Sequence, residues 1–150
     1  MKQLSILITL LCSLTQAAFG QTDSQCTRLT ANDYKIVFQL AVDYPDLQKY
    51  YHTDTDTTRQ NIVFVTHDFE SINHGQLRGV IKFGRQVSII TEQKIKDRNI
   101  KSYFVIVSLL CNTNSIYLKL SYPIEGLMIS YLFENINNKL VITSAELVEI

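Results

Sequence analysis

Between residues 103 and 147, four apolar runs are separated by three short turn signals, and this spacing constrains the fold more than any other feature of the chain. The runs cover residues 103–110, 116–122, 127–133 and 140–147, and the separators are Asn112-Thr113-Asn114, Pro123-Ile124-Glu125-Gly126 and Asn135-Ile136-Asn137-Asn138. Asn tolerates the left-handed backbone of tight turns, and Pro and Gly serve other turn positions. Connections this short cannot hold a crossover helix, so neighbouring strands are expected to be antiparallel. In the second run Ile116, Leu118, Leu120 and Tyr122 alternate with Tyr117, Lys119 and Ser121, giving one dry face and one wet face. The first run, Tyr103-Phe104-Val105-Ile106-Val107, is apolar on both faces and reads as a central strand.

The dry face needs a cover, and the amino-terminal segment supplies one. Thr30 is a good helix N-cap with Asp33 three residues on. Ile36, Val37, Leu40, Ala41 and Tyr44 follow at helical spacing. Pro45 ends that helix or opens a second one over residues 46–51, for which Asp43 is the expected cap. Residues 52–60 read as a polar loop and residues 67–78 as a loop with one helical turn. Short strands are expected at residues 62–65, 79–83 and 87–90, and a brief helix capped by Thr91 at residues 92–96. The expected fold class is α+β, with N-terminal helices packed on a curved antiparallel sheet that ends in a four-stranded meander.

Residues 1–20 carry a cation at Lys2, an apolar stretch from Leu4 to Leu14 and small residues at Ala18 and Gly20. This is the layout of a secretory signal peptide cut near Gly20-Gln21. The apolar stretch is too short for a stable bilayer span, which needs about 20 residues. The expected organisation is a signal peptide at 1–20, a polar leader at 21–29 and one α+β domain at 30–150, placed outside the cell or in the periplasm. No transmembrane segment is expected in the mature chain. Its two remaining cysteines, Cys26 and Cys111, are free to pair in an oxidising compartment, the alternative being two free thiols.

Composition excludes several classes. Five Gly and two Pro rule out collagen-like and low-complexity chains, and three Cys are too few for a disulfide-dense scaffold. Fourteen basic groups balance fourteen acidic ones, which argues against a nucleic-acid partner. The charge is unevenly spread: residues 78–101 hold seven basic side chains (Arg78, Lys82, Arg85, Lys94, Lys96, Arg98 and Lys101) against Glu92 and Asp97. Such a segment either faces an acidic partner or is a solvated face.

No motif assembles a catalytic set. His67 and His74, with Asp68 and Glu70 between them, offer metal-ligating groups, but the spacing matches no closed site, and no metal or cofactor is expected. There is no G-x-S-x-G elbow and no phosphate-cradling glycine loop. Asp54 and Asp56 in a loop and Glu125 in a turn do not read as paired catalytic carboxylates. Eight tyrosines stand in a chain with no Trp. Tyr50, Tyr51, Tyr103 and Tyr117 are the ligand-binding candidates, because tyrosine joins apolar area to one hydrogen bond; cross-strand packing is the competing role.

The order of elements, with Tyr122-Pro123-Ile124-Glu125-Gly126 and Asn137-Asn138-Lys139-Leu140-Val141-Ile142 read as a final hairpin, resembles the cone-shaped domains of the nuclear transport factor two-like superfamily. It is also similar to small secreted proteins of Bacteroidetes-type bacteria. Leu140 and Ile142 stand where those domains often carry Trp. The resemblance implies a concave sheet with a pocket under the helices. The expected function is a non-catalytic binding domain for a small ligand or a protein partner, including the immunity or inhibitor kind. The alternatives are a cone-fold enzyme with a pocket Asp or His as general acid or base, and a self-associating structural domain.

Overall fold

The computed structural model describes residue 26, residues 29–66, residue 72 and residues 75–150. The segment expected to be a signal peptide lies outside the described residues, as do His67 and His74. The chain is α+β. Helix α1 (Ala31–Asp43) and a 3-10 turn (Pro45–Tyr50) precede a six-stranded sheet. The strands are β1 (Val63–Thr66), β4 (Ser88–Ile90), β5 (Phe104–Cys111), β6 (Ser115–Tyr122), β7 (Leu127–Ile136) and β8 (Lys139–Glu149), in the order β4-β1-β5-β6-β7-β8. A separate hairpin joins β2 (Ile81–Lys82) to β3 (Arg85–Gln86), and a short helix α2 (Glu92–Asp97) links β4 to β5.

The sheet is mixed, where the sequence reading expected antiparallel pairing. From β5 to β8 every pair is antiparallel, but β1 runs parallel to both β4 and β5. Two connections account for this. Residues 67–87 return the chain from β1 to β4, and residues 91–103, which contain α2, return it from β4 to β5. Each is long enough for a parallel return, which takes a dozen or more residues. Ile95 of α2 packs with Val63 and Val65 of β1, so β1 is covered on both faces. The cover stops there. Val107 on β5 is 43% exposed, so that strand is buried on one face only along its second half, not on both as its composition suggested.

Helix α1 begins with a full capping box: Thr30 accepts from the Asp33 amide at 3.2 Å, and the Asp33 carboxylate accepts from the Thr30 amide at 2.8 Å. Its buried stripe is Tyr34, Val37, Phe38, Ala41 and Val42. Ile36, Leu40 and Tyr44 sit on the flank of that stripe and are half-buried. Complete burial of a side chain such as Val37 or Phe38 contributes roughly 1.5–3 kcal/mol. The helix ends at Pro45, and Tyr44 occupies the cap position before the 3-10 turn without a side-chain cap bond. Asp43, the expected cap, instead accepts from Gln39 at 2.6 Å and from Lys82 at 2.9 Å.

The last turn of α1 has no basic residue to meet its carbonyls. Two buried tyrosines do so: Tyr51 donates to the Val42 carbonyl at 2.9 Å and Tyr131, on β7, donates to the Ala41 carbonyl at 3.0 Å. Helix ends leave such groups unpaired unless a side chain reaches them. On β6, Ile116, Leu118, Leu120 and Tyr122 are buried, as their alternation required. Cys26 and Cys111 form a disulfide that closes a separation of 85 residues and ties the segment before α1 to the end of β5.

Candidate functional site

The space between α1 and the sheet is filled by rings. Phe104 stacks on Tyr122 with centroids 4.2 Å apart, and Phe64 meets Phe38 edge-on at 5.1 Å. Tyr51 stands edge-on to Phe104 at 6.1 Å. All five are at most 1% exposed. Burial pushes the phenols of Tyr51 and Tyr131 far above their ordinary value, so both remain neutral donors.

One polar cluster borders this core, where the loop after the 3-10 turn meets the β6–β7 connection. Asp56 caps a second 3-10 turn (Thr57–Gln60), accepting from the Thr58 amide at 3.0 Å and its hydroxyl at 2.6 Å. Those two bonds, with the Arg59 charge nearby, hold the Asp56 carboxyl below the usual range. The turn aims Arg59 inward, where its Nη1 forms a short ion pair with Glu125 Oε1 and reaches the Tyr50 carbonyl at 3.5 Å. The side chains of Arg59 and Glu125 are only 14% and 17% exposed. The Arg59 Nε lies 3.6 Å from Asp56 Oδ2, an ion-pair distance too long for a hydrogen bond. Burial pulls the guanidinium down, but the Glu125 hydrogen bond and surrounding negative groups outweigh it and leave Arg59 above its ordinary value.

His52 completes the cluster, its Nε2 lying 3.3 Å from Glu125 Oε2 while half its side chain faces solvent. Below it, Tyr122 shares a 2.8 Å hydrogen bond with Ser102. Burial pushes the Tyr122 phenol up, against the pull of Ser102 and the Arg59 charge. Glu125 is positioned by the 3-10 turn Pro123–Glu125, which closes at Gly126 with φ 58°. A Cβ there would also sit 3.0 Å from the Ile150 carbonyl.

The cluster orders loops: Glu125 is committed to Arg59 and Asp56 to Thr58. Glu125→Ala is expected to lower the folding free energy by about 2–3 kcal/mol. That is below the 3–5 of a fully buried broken pair, because both side chains keep some water. Urea denaturation measures it, and a change near zero would mark the pair as a solvated one.

The tyrosine candidates are not brought to one place. Tyr50 lies at the rim, donating to Glu149 at 3.0 Å beneath the Lys49 ammonium, and Tyr51 is in the core. Tyr103 packs on the Val63–Val65–Ile95 cluster. Tyr117 is on the sheet face turned away from α1 and donates to Ser130 at 3.1 Å. Among the described residues no group of three or more His, Cys, Asp or Glu is placed to hold a metal ion, and no helix is long and apolar enough to cross a membrane. Arg59 was invisible as a site residue. Its only sequence signal was to be the lone cation in the loop 52–60.

The basic segment splits in two. Lys94, Lys96, Arg98 and Lys101 stay with α2 and the stretch after it, while Lys82 and Arg85 are on the β2–β3 hairpin, with Arg78 just before it. The hairpin turns on Phe83 and Gly84, with φ of 51° and 72°. A two-residue turn with both residues in that region matches strand twist, and Asn or Gly normally fills it; an aromatic there is strained by about 1–3 kcal/mol. Gln39 holds the hairpin by donating to the Ile81 carbonyl at 2.9 Å and accepting from its amide at 3.0 Å. Arg85 donates to Asn61 at 2.7 Å. The Lys82 ammonium lies over the Tyr51 and Phe83 rings. Phe83 meets Tyr51 edge-on at 5.2 Å yet stays 37% exposed, and Ile81 is 52% exposed. The Lys35 stem lies over Gly79, beside the hairpin.

No family model matches the chain, and no curated protein or solved structure matches it.

Proposed function

We propose that this chain is an exported, non-catalytic binding domain that recognises an acidic protein surface through its β2–β3 hairpin. The observation carrying this reading is the strained Phe83 at the hairpin tip. It is exposed beside Ile81 on a mount fixed by Gln39 and Asn61, with the Lys82 ammonium over its ring, Arg85 on the next strand and Lys35 at nearby Gly79. Backbone strain persists where surrounding structure holds it, and it concentrates at functional positions. Exposed apolar area bordered mainly by cations, with Asp43 as the carboxylate paired to Lys82, suits a partner of the opposite sign.

The ring-filled interior directs recognition to the surface and away from the cavity that a cone-shaped domain implies. An immunity or inhibitor protein is one form of this reading. Export is supported by the signal-like first twenty residues and by a disulfide, which suits an oxidising compartment. An enzyme reading would rest on His52 and Glu125, but Glu125 is held by Arg59 and His52 faces water.

The test is capture from the exported fraction of the source organism with three baits: the wild type, Ile81→Ser/Phe83→Ser and Arg85→Glu. The expected result is an acidic protein retained by the wild type, released by salt, and reduced at least tenfold with either variant. Equal retention by all three baits would remove the hairpin from the interface.

A further inference from the structure

We propose that the sheet face turned away from α1 is a dimer interface, and that its occupant is a second copy of this chain. Among the described residues the hydrophobic cluster under α2 takes in Val63 and Val65 of β1 and Ile90 of β4, and no residue of β6–β8. Strand register places Lys119, Ser130 and Glu146 in one row across β6, β7 and β8. Lys119 and Glu146 therefore stand two strands apart, roughly 9–10 Å, with Ser130 between them. Among the described residues neither charge has an ion-pair partner.

These opposite charges select one way of packing two copies. A two-fold axis running along β7 through Ser130 exchanges β6 with β8. Lys119 of each protomer then meets Glu146 of its partner, twice. An axis running across the strands would instead set Lys119 against Lys119.

Side-chain size agrees with the same axis. In the adjoining rows Tyr117 lies in register with Ser144, and Val148 with Ser121, each across β7. Exchange of β6 and β8 lays Val148 over Ser121 of the other copy, while Met128 and Leu132 on β7 meet their own counterparts beside the axis as the apolar centre of the interface. Val148 is 44% exposed in the single chain. Glu134 also faces this way on β7, four residues from Ser130 and about 14 Å along the strand. Packed sheets cross at about 30°, so the two copies of Glu134 are splayed apart.

Sedimentation equilibrium of the purified, oxidised protein tests the interface. The wild type is expected to be a dimer at micromolar concentration. Lys119→Glu and Glu146→Lys should each weaken the dimer at least tenfold, and the double exchange K119E/E146K should restore it. Ser144→Arg, which adds a bulky charge at an exposed position of the same face, should also yield monomer. Circular dichroism confirms that each variant is folded. A wild type that stays monomeric at 100-fold higher concentration overturns the proposal. So does a dimer indifferent to both reversals, or a double exchange that fails to recover. The dimer does not depend on the hairpin reading, since none of these substitutions touches β2 or β3.

Discussion

Replacing Cys26 and Cys111 together by serine lowers the folding free energy by about 4–5 kcal/mol. The bridge spans 85 residues, and the entropy removed from the unfolded chain grows with the logarithm of the loop closed. The loop holds α1 and all strands up to β5, so the cross-link acts on most of the sheet's long-range pairing. Typical domains are stable by about 5–15 kcal/mol, so the loss is a large fraction of such a total. Urea denaturation of the wild type, the reduced wild type and the double variant measures the effect. The last two should agree. A loss below about 1.5 kcal/mol would show that residual structure already restricts the unfolded chain without the bridge.

Phe104→Ala costs about 3–5 kcal/mol, the range for emptying an aromatic site in a packed core. Phe104 is 1% exposed and its ring touches Tyr122, Phe64 and Tyr51. Three elements therefore lose a neighbour at once, and the stacked pair with Tyr122 is lost with it. The control is Val107→Ala on the same strand, whose side chain is 43% exposed and turned the other way. It is expected to cost under about 1 kcal/mol. Equal losses at the two positions would contradict the two-faced reading of β5.

Some of this was legible in the chain and some was not, for physical reasons that differ by position. The Thr30–Asp33 cap was readable because it is local, spanning three residues. The dry side of β6 was readable because a period of two leaves no ambiguity. The stripe of α1 was misplaced by about one position. Ile36, Leu40 and Tyr44 fit a helical period as well as Tyr34 and Phe38 do, and only the sheet beneath decides between them. Parallel pairing of β1 was not legible: the brief helix at 92–96 was expected, but no local pattern says that β4 and β5 flank β1. The Arg59–Glu125 pair joins residues 66 apart, and the Tyr131 bond to Ala41 joins residues 90 apart. No local pattern carries such partners. Asp43 shows the reverse case, a residue with strong capping preference drawn off by Lys82 from another element.

Strand order also sets a chronology for this polypeptide. The strands from β5 onward are stitched by tight reversals and pair with neighbours in the chain, so they need little loop closure. β1 is different: Phe64 pairs with Ile89 of β4, 25 positions later, and with Phe104 of β5, 40 positions later, so both of its pairings close longer loops. During synthesis the amino-terminal half leaves the ribosome first, yet it must wait for the last third before it can dock. The carboxy-terminal hairpins are therefore expected to form first, with α1 and the parallel strand condensing onto them afterwards.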